Sequence, residues 1–153
     1  MLIRRLISRD LSDLLSLYAH LHSVDDPLPS RAEVNSIWAE IMTSSNLRYY
    51  GGFVDGQLVA TCTLSIIPNL TRGCRPYGVI ENVVTHSDHR RKGYATEVLR
   101  EALRDAWSQK CYKVMLLTGR KDEGTFRFYE AVGFDRDSKQ AFVAKPSKEL
   151  SHA

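Results

Sequence analysis

The chain has 153 residues, 43% hydrophobic and 25% charged, which excludes wholesale disorder and predicts one domain large enough to need no disulfide or metal staple. A formal charge of +3, from 21 Lys and Arg against 18 Asp and Glu, suits an anionic ligand, but cations spread along the chain give no stripe for nucleic acid. Cys62, Cys74 and Cys111 form no CxxC pair, no long apolar stretch occurs, and the charge-interleaved start MLIRRLISRDLSDLL lacks a signal-peptide core, so a cytoplasmic protein with no membrane partner is expected.

Residues 2–7 (LIRRLI) read as a first strand. Ser8 or Asp10 then caps a helix whose Leu11, Leu14, Leu15, Tyr18 and Leu21 recur at helical spacing. Pro27 and Pro29 break the following loop, and Ser30 with Glu33 is a capping box opening a second helix to about Met42. Leu47 to Val54 and Gln57 to Ile67 read as strands joined by the hairpin turn Asp55-Gly56. After a loop over 68–76, Gly78 to Thr85 (GVIENVVT) is a strand interrupted by Glu81 and Asn82. The basic turn HSDHRRKG leads into a helix over Tyr94 to Gln109, with an apolar stripe of Ala95, Val98, Leu99, Ala102, Leu103, Ala106 and Trp107. Tyr112 to Thr118 reads as a buried strand, and Asp122 to Ala131 as a short helix stopped by Gly133. Phe134 and Ala141 to Lys145 supply a last strand, with 146–153 as a flexible tail. The order β-α-α-β-β-β-α-β-α-β predicts a mixed α/β fold with one sheet between helices.

The informative unit is the strand, basic turn and helix from Gly78 onward. A helix N-terminus offers unpaired N–H groups and a positive dipole end, which together bind phosphate. Arg90, Arg91 and Lys92 precede this one, and Gly93 lets a ligand approach the backbone. Neither G-x-G-x-x-G nor a Walker A pattern is present, so the residues alone leave a diphosphate site or a solvated basic turn. His86, Asp88 and His89 have metal-ligand composition but sit in a turn with no third partner near in sequence, so no metal is expected. Cys74 has no identifiable activating histidine and reads as an unreactive loop thiol, and there is no G-x-S-x-G elbow.

Arg90-Arg91-Lys92-Gly93-Tyr94-Ala95 matches the R/Q-x-x-G-x-G/A motif of the GCN5-related N-acetyltransferases. Phe128-Tyr129-Glu130-Ala131-Val132-Gly133-Phe134 is similar to that family's F-Y-E-x-x-G-F segment, and the element order resembles the family across residues 2–145. The resemblance implies an acyl-CoA N-acyltransferase fold, with a mixed, mostly antiparallel sheet flanked by helices, and acetyl-CoA as co-substrate. It implies that the backbone of Val83, Val84 and Thr85 runs beside pantetheine like an added strand. By the same resemblance Arg90, Arg91, Lys92, Gly93, Tyr94, Ala95 and Thr96 cradle the pyrophosphate. Asp122 stands where the family often has an asparagine touching the cofactor, and Phe128 belongs to the second segment on the cofactor side. Tyr129 matches the tyrosine that protonates the departing thiolate, and Glu81 falls where many members keep a general base.

The chemistry fits these residue types. An alkyl ammonium, near 10.4, must lose a proton at pH 7, and a desolvated Glu81 can take it directly or through water. The Val83 N–H can hold the oxyanion, and a phenol near 10 can donate to a thiolate whose thiol is about 8.5. The plainer readings are a solvent-side Glu81 and a core Tyr129. On the acceptor side the resemblance puts the early helices, with Tyr18, His22, Asp25 and Asp26, and the loop carrying Arg72, Arg75 and Tyr77. Arg72 and Arg75 suit a phosphate or carboxylate on the acceptor, and RGCRPYGVIENVV resembles the corresponding region of glucosamine-phosphate acetyltransferases. The preferred acceptor is a small amine bearing an anionic group. A protein lysine or N-terminus, and a non-catalytic acyl-CoA-binding module, stand as alternatives. A homodimer through the C-terminal strand is one expectation for assembly.

Overall fold

The computed structural model describes residues 1–22 and 24–146, so the tail expected at 146–153 lies outside the described residues from 147 on. The chain divides into two compact units, Met1–Leu116 and the residues from Leu117 onward.

The first unit is built on a five-stranded sheet in the order β1 (Leu2–Arg5), β2 (Leu47–Val54), β3 (Gln57–Ile67), β4 (Tyr77–Thr85) and β5 (Val114–Leu116). Neighbours are antiparallel except β4 and β5, which are parallel and therefore need a crossover. That crossover is α4 (Tyr94–Ser108); α1 (Leu11–Tyr18), α2 (Arg31–Thr43) and the single turn α3 (Thr71–Cys74) complete the unit. Leu14, Leu17 and Trp38 from α1 and α2 pack with Leu6, Phe53, Leu58 and Val84 in one core cluster. Val98, Leu99, Ala102 and Ala106 of α4 are fully buried against the strands.

Two consecutive glycines in β2 let both layers approach, because successive strand residues face opposite sides of a sheet. A Cβ on Gly51 would lie 2.5 Å from Leu6 Cδ2 and 2.6 Å from Leu58 Cδ1, and one on Gly52 would lie 3.0 Å from Val98 Cγ2. Gly51 thus faces Leu6, Leu58 and Phe53 of the core cluster, while Gly52 lets α4 approach through Val98.

Several expectations shift. Asp10 does not cap α1 with its side chain; it is buried and accepts from Arg4 Nη1 at 2.6 Å, Arg4 Nη2 at 2.9 Å and the Ile7 N–H at 2.8 Å. An ion pair between β1 and the start of α1 outcompetes the local cap because it satisfies three donors at once. Trp107, expected in the apolar stripe, is 51% exposed, since it sits about 100° round the helix from Ala106 at the last turn. β5 has three residues rather than the seven expected, and none is fully buried. Phe134 and residues 141–145 form no strand, and Phe142 and Val143 are 90% and 70% exposed. Strand propensity needs an edge to pair with, and among the described residues these have none.

In the second unit α5 (Glu123–Glu130) is capped by Asp122, whose Oδ1 accepts from the Thr125 N–H at 2.9 Å. Arg136 returns to bind Glu123 and Glu130 with its guanidinium.

Arg4 holds the Asp10 carboxyl below the usual carboxylate range despite burial. A depressed carboxyl contributes stability that is present above its unfolded value, about 3.9, and is lost as pH falls through the folded value. Asp10→Asn should therefore lower Tm at pH 7 by about 4 °C, with the gap narrowing in melts below about pH 3.5; an equal gap at both pH values would contradict this role. Gly51→Val should destabilise by roughly 2 kcal/mol or more in urea titration, because Leu6 and Leu58 leave no room for a side chain.

Candidate active site

β4 carries the site's geometry. On one side it pairs with β3 along its length, with a break in register between Thr61 and Thr63 that leaves Asn82 and Val83 opposite Cys62. Asn82 takes φ 52°, a left-handed conformation that asparagine tolerates better than most residues. This is a β-bulge, and bulges re-aim the strand that carries them. On the other side β4 pairs with β5 only at Gly78, Val79 and Ile80. Past Ile80 no strand of the described residues covers that edge.

Which amides face the open edge follows from the ladder. The His86 N–H donates to Val59 O at 2.9 Å, and Val84 is two residues earlier, opposite Thr61. Alternation therefore turns the Val84 N–H toward β3 and the Val83 and Thr85 N–H groups toward the uncovered edge. Glu81, directly after the last β5 pair, has an exposed side chain, while its carbonyl accepts from Thr63 Oγ1 at 3.1 Å.

At the C-terminal end of β4 the chain makes a 3-10 turn, Ser87–His89, in which the His86 ring nitrogen accepts from the Asp88 N–H at 3.3 Å. Arg90 is tied down: Nε donates to Thr85 O at 3.3 Å and Nη2 to His20 O at 3.2 Å. Its side chain is thus a strut between the turn and the end of α1. Arg91 (φ 59°) and Gly93 (φ 81°) are left-handed, and Gly93 is the N-cap of α4 with open space around the site of its missing Cβ. The first intrahelical bond at this end runs from the Glu97 N–H to Gly93 O at 3.2 Å, so the Tyr94, Ala95 and Thr96 N–H groups are the helix's unpaired donors among the described residues. Arg91 and Lys92 form no ion pair among the described residues. The result is three backbone donors and two free cations, a fit for a pyrophosphate.

Among the described residues no group of three or more His, Cys, Asp and Glu side chains is placed to hold a metal ion, and the rings of His86 and His89 meet aromatic neighbours. They stack with a histidine that sequence spacing did not connect to them. His20 and His86 rings are 4.2 Å apart, His86 and His89 5.6 Å, and His89 and Tyr94 5.9 Å. This stack reinforces the Arg90 strut between α1 and the basic turn. Burial pushes the Cys62 thiol up to about 12, so the cysteine opposite the bulge is inert.

At the N-terminal end of β4 lie three of the predicted acceptor residues. Arg72 and Arg75 have Cζ 5.9 Å and 6.0 Å from the Tyr112 ring centroid, and Tyr77 meets Tyr112 edge-on at 6.3 Å. Two residues unmarked in the sequence join them: Tyr112 itself and Lys113, whose Nζ is 5.5 Å from both tyrosine centroids. Only the parallel register of β5 brings them here. Among the described residues, Tyr18 and Asp25 share no hydrogen bond, ion pair or ring contact with this cluster. The Tyr18 hydroxyl is buried beside Asn82 without a hydrogen bond of good geometry, and burial pushes its phenol up. Asp25 is exposed and accepts from the Asp26 N–H at 2.9 Å.

In the second unit, the segment from Phe128 to Phe134 folds back on itself. Phe128 and Tyr129 rings are 4.8 Å apart, Tyr129 and Phe134 6.1 Å, and the Phe134 N–H donates to Tyr129 O at 3.2 Å. Gly133, at φ 106°, makes the turn that allows this. Asp122 spends its carboxylate on the α5 cap.

Comparison with known proteins agrees with this architecture. The sequence model of the Acetyltransferase (GNAT) family matches residues 11–134. Glucosamine 6-phosphate N-acetyltransferase of Trypanosoma brucei brucei is 31% identical over 146 residues, covering 90% of this chain and 91% of that one. A solved chain of Agrobacterium tumefaciens strain C58, proposed to be an acetyltransferase, superposes with a TM-score of 0.87 at 39% identity, over 95% of this chain and 100% of that one. A Trypanosoma brucei acetyltransferase structure gives 0.77 at 29% identity, over 94% and 99%. The chain belongs to the Acetyltransferase (GNAT) family of acetyl-CoA-dependent N-acetyltransferases.

Proposed function

We propose that the enzyme moves the acetyl group of acetyl-CoA to the primary amine of a small molecule, by direct transfer in a ternary complex. The observation that supports this most is the course of β4, which loses β5 after Ile80, presents Glu81 there, and ends in the basic turn before α4. The likeness to a glucosamine 6-phosphate acetyltransferase along most of both chains supports a small acceptor.

In this reading the open edge at Val83, Val84 and Thr85 takes the pantetheine arm as an added strand. Arg91, Lys92, Gly93, Tyr94, Ala95 and Thr96 hold the pyrophosphate, and Arg90 fixes the turn's shape. Asp122 and Phe128 belong to the donor side by family resemblance, and Tyr18, Asp25 and Tyr77 to the acceptor side. Glu81 takes the proton of the acceptor ammonium. An ordinary carboxylate near 4.3 lies about six units below an alkyl ammonium near 10.4, roughly 8 kcal/mol uphill. Glu81 is exposed in the chain alone, so the substrates themselves must supply the desolvation that narrows the gap. The freed amine lone pair attacks the thioester carbon, the Val83 N–H donates to the oxyanion, and the C–S bond breaks. Tyr129, matched to the family tyrosine, gives its proton to the departing thiolate.

Free-thiol release from acetyl-CoA, followed over a panel of small amines and of peptides, tests the reading. Turnover should occur with small amines, and Glu81→Gln and Tyr129→Phe should each lower kcat/KM at least tenfold. Turnover on peptides alone would favour a protein acceptor, and tight acetyl-CoA binding without any thiol release would favour a binding module.

A further inference from the structure

The turn between β4 and α4 is closed by an uncharged histidine. His86 is the N-cap of the 3-10 turn Ser87–His89, and its Nδ1 accepts from the Asp88 N–H at 3.3 Å. Its backbone is held on both sides: the His86 N–H donates to Val59 O of β3, and His86 O accepts from the His89 N–H, both at 2.9 Å. A ring nitrogen accepts a hydrogen bond only while it carries no proton, so this bond assigns the tautomer with hydrogen on Nε2. An imidazolium here sets one N–H against another, and the cap is lost.

The groups around the ring offer an added charge no partner. From the end of α1 comes His20, with ring centroids 4.2 Å apart; from the turn comes His89 at 5.6 Å, which meets Tyr94 of α4 at 5.9 Å. His89 Nδ1 is buried without a hydrogen bond, so a proton added there finds no acceptor. The Arg90 guanidinium spans the stack, donating to Thr85 O at 3.3 Å and to His20 O at 3.2 Å. Asp88, the carboxylate of the turn, accepts from Ser87 Oγ at 3.1 Å. Among the described residues no ion pair joins a histidine to a carboxylate. Charged rings at these distances, beside a guanidinium, repel one another.

The same turn aims the donor cradle. His89 is followed within four residues by Arg91 and Gly93, both left-handed, and Gly93 opens α4. The Tyr94, Ala95 and Thr96 N–H groups point where this short path sends them, and hydrogen bonds weaken steeply once their direction is lost.

We propose that His86 is a positioning residue of the donor cradle, and that protonation of the His20, His86 and His89 stack opens the turn and weakens the hold on the donor's diphosphate. The proposal rests on the donor reading above and adds proton-linked control to it. A cradle that closes with uncharged imidazoles binds best above the imidazole range, about 6.5, and loses affinity as pH falls through it. Plain attraction between an imidazolium and a diphosphate acts in the opposite direction.

Calorimetric titration with dephospho-coenzyme A at about pH 7.5 and about pH 5.5 tests this, since the probe lacks a phosphate monoester, which itself titrates at about 6. The wild type runs beside His86→Asn, which keeps a capping acceptor that does not titrate, and His86→Ala, which keeps none. Wild-type affinity should fall at least fivefold in acid. His86→Asn should bind within threefold of the wild type at the higher pH and change less than twofold with pH, and His86→Ala should bind weakly at both. Wild-type binding that is unchanged or tighter in acid, or an equally steep fall in His86→Asn, overturns the proposal alone. No binding at the higher pH overturns the donor reading and the proposal with it. The Asp88 amide resonance reads the cap without ligand or variant: movement through the imidazole range supports the proposal, and a resonance that stays still overturns it.

Discussion

The parallel pairing of β4 with β5 covers three residues and then stops. A strand in the middle of a sheet ordinarily spends both rows of its N–H and C=O groups on neighbours, and leaving one row unpaired in the interior is costly. Here one row from Glu81 to Thr85 has no β5 partner, and the proposed function arranges the chemistry around it. An unpaired edge is a template for anything with complementary amides, and pantetheine has two such groups. In the proposed function this edge, otherwise a liability, becomes the docking strip for the donor.

What keeps that edge in place is the packing behind it. Val84 and Cys62 are buried, and the buried Tyr18 of α1 lies beside the bulge at Asn82. Gly52 lets α4 approach β2 through Val98 and Gly51 admits Leu6 and Leu58 of the core cluster, so the sheet that carries β4 is packed on both faces. Arg90 and the stacked rings of His20, His86, His89 and Tyr94 extend this bracing to the basic turn. Among the described residues no ion pair or backbone bond uses Arg91, Lys92 or the first α4 N–H groups to hold the turn together, which in the proposed function leaves them for a ligand. One strand then has three regions in order: a cation cluster at its start, a carboxylate and bulge at its middle, and an anion cradle past its end.

Much of this was legible in the residues. The Asp55-Gly56 hairpin, the ends of β2 and β3, and the start of α4 rest on local turn and periodicity signals, and they appear where those signals predict. The basic turn before Gly93 was readable for the same reason, because a helix start and its charges are local features. What was not legible depends on register between distant segments. Lys113 and Tyr112 join Arg72 and Arg75 only because β5 lies beside the first residues of β4. His20 joins the histidine pair only once α1 is folded over the sheet. Asp10 abandons its helix cap for Arg4, a choice that depends on β1 being next to it. Ala141 to Lys145 have strand composition, yet composition cannot supply a partner edge.

The central claim is that the uncovered edge of β4 and the start of α4 together hold the donor. Titrating ¹⁵N-labelled protein with coenzyme A and following its amide resonances tests this most directly. The account predicts that the Val83, Thr85, Tyr94, Ala95 and Thr96 amides shift together and saturate at one Kd, while Val84, turned toward β3, moves less. Saturable shifts confined to other segments, with the β4 edge and the α4 start unmoved, would contradict it.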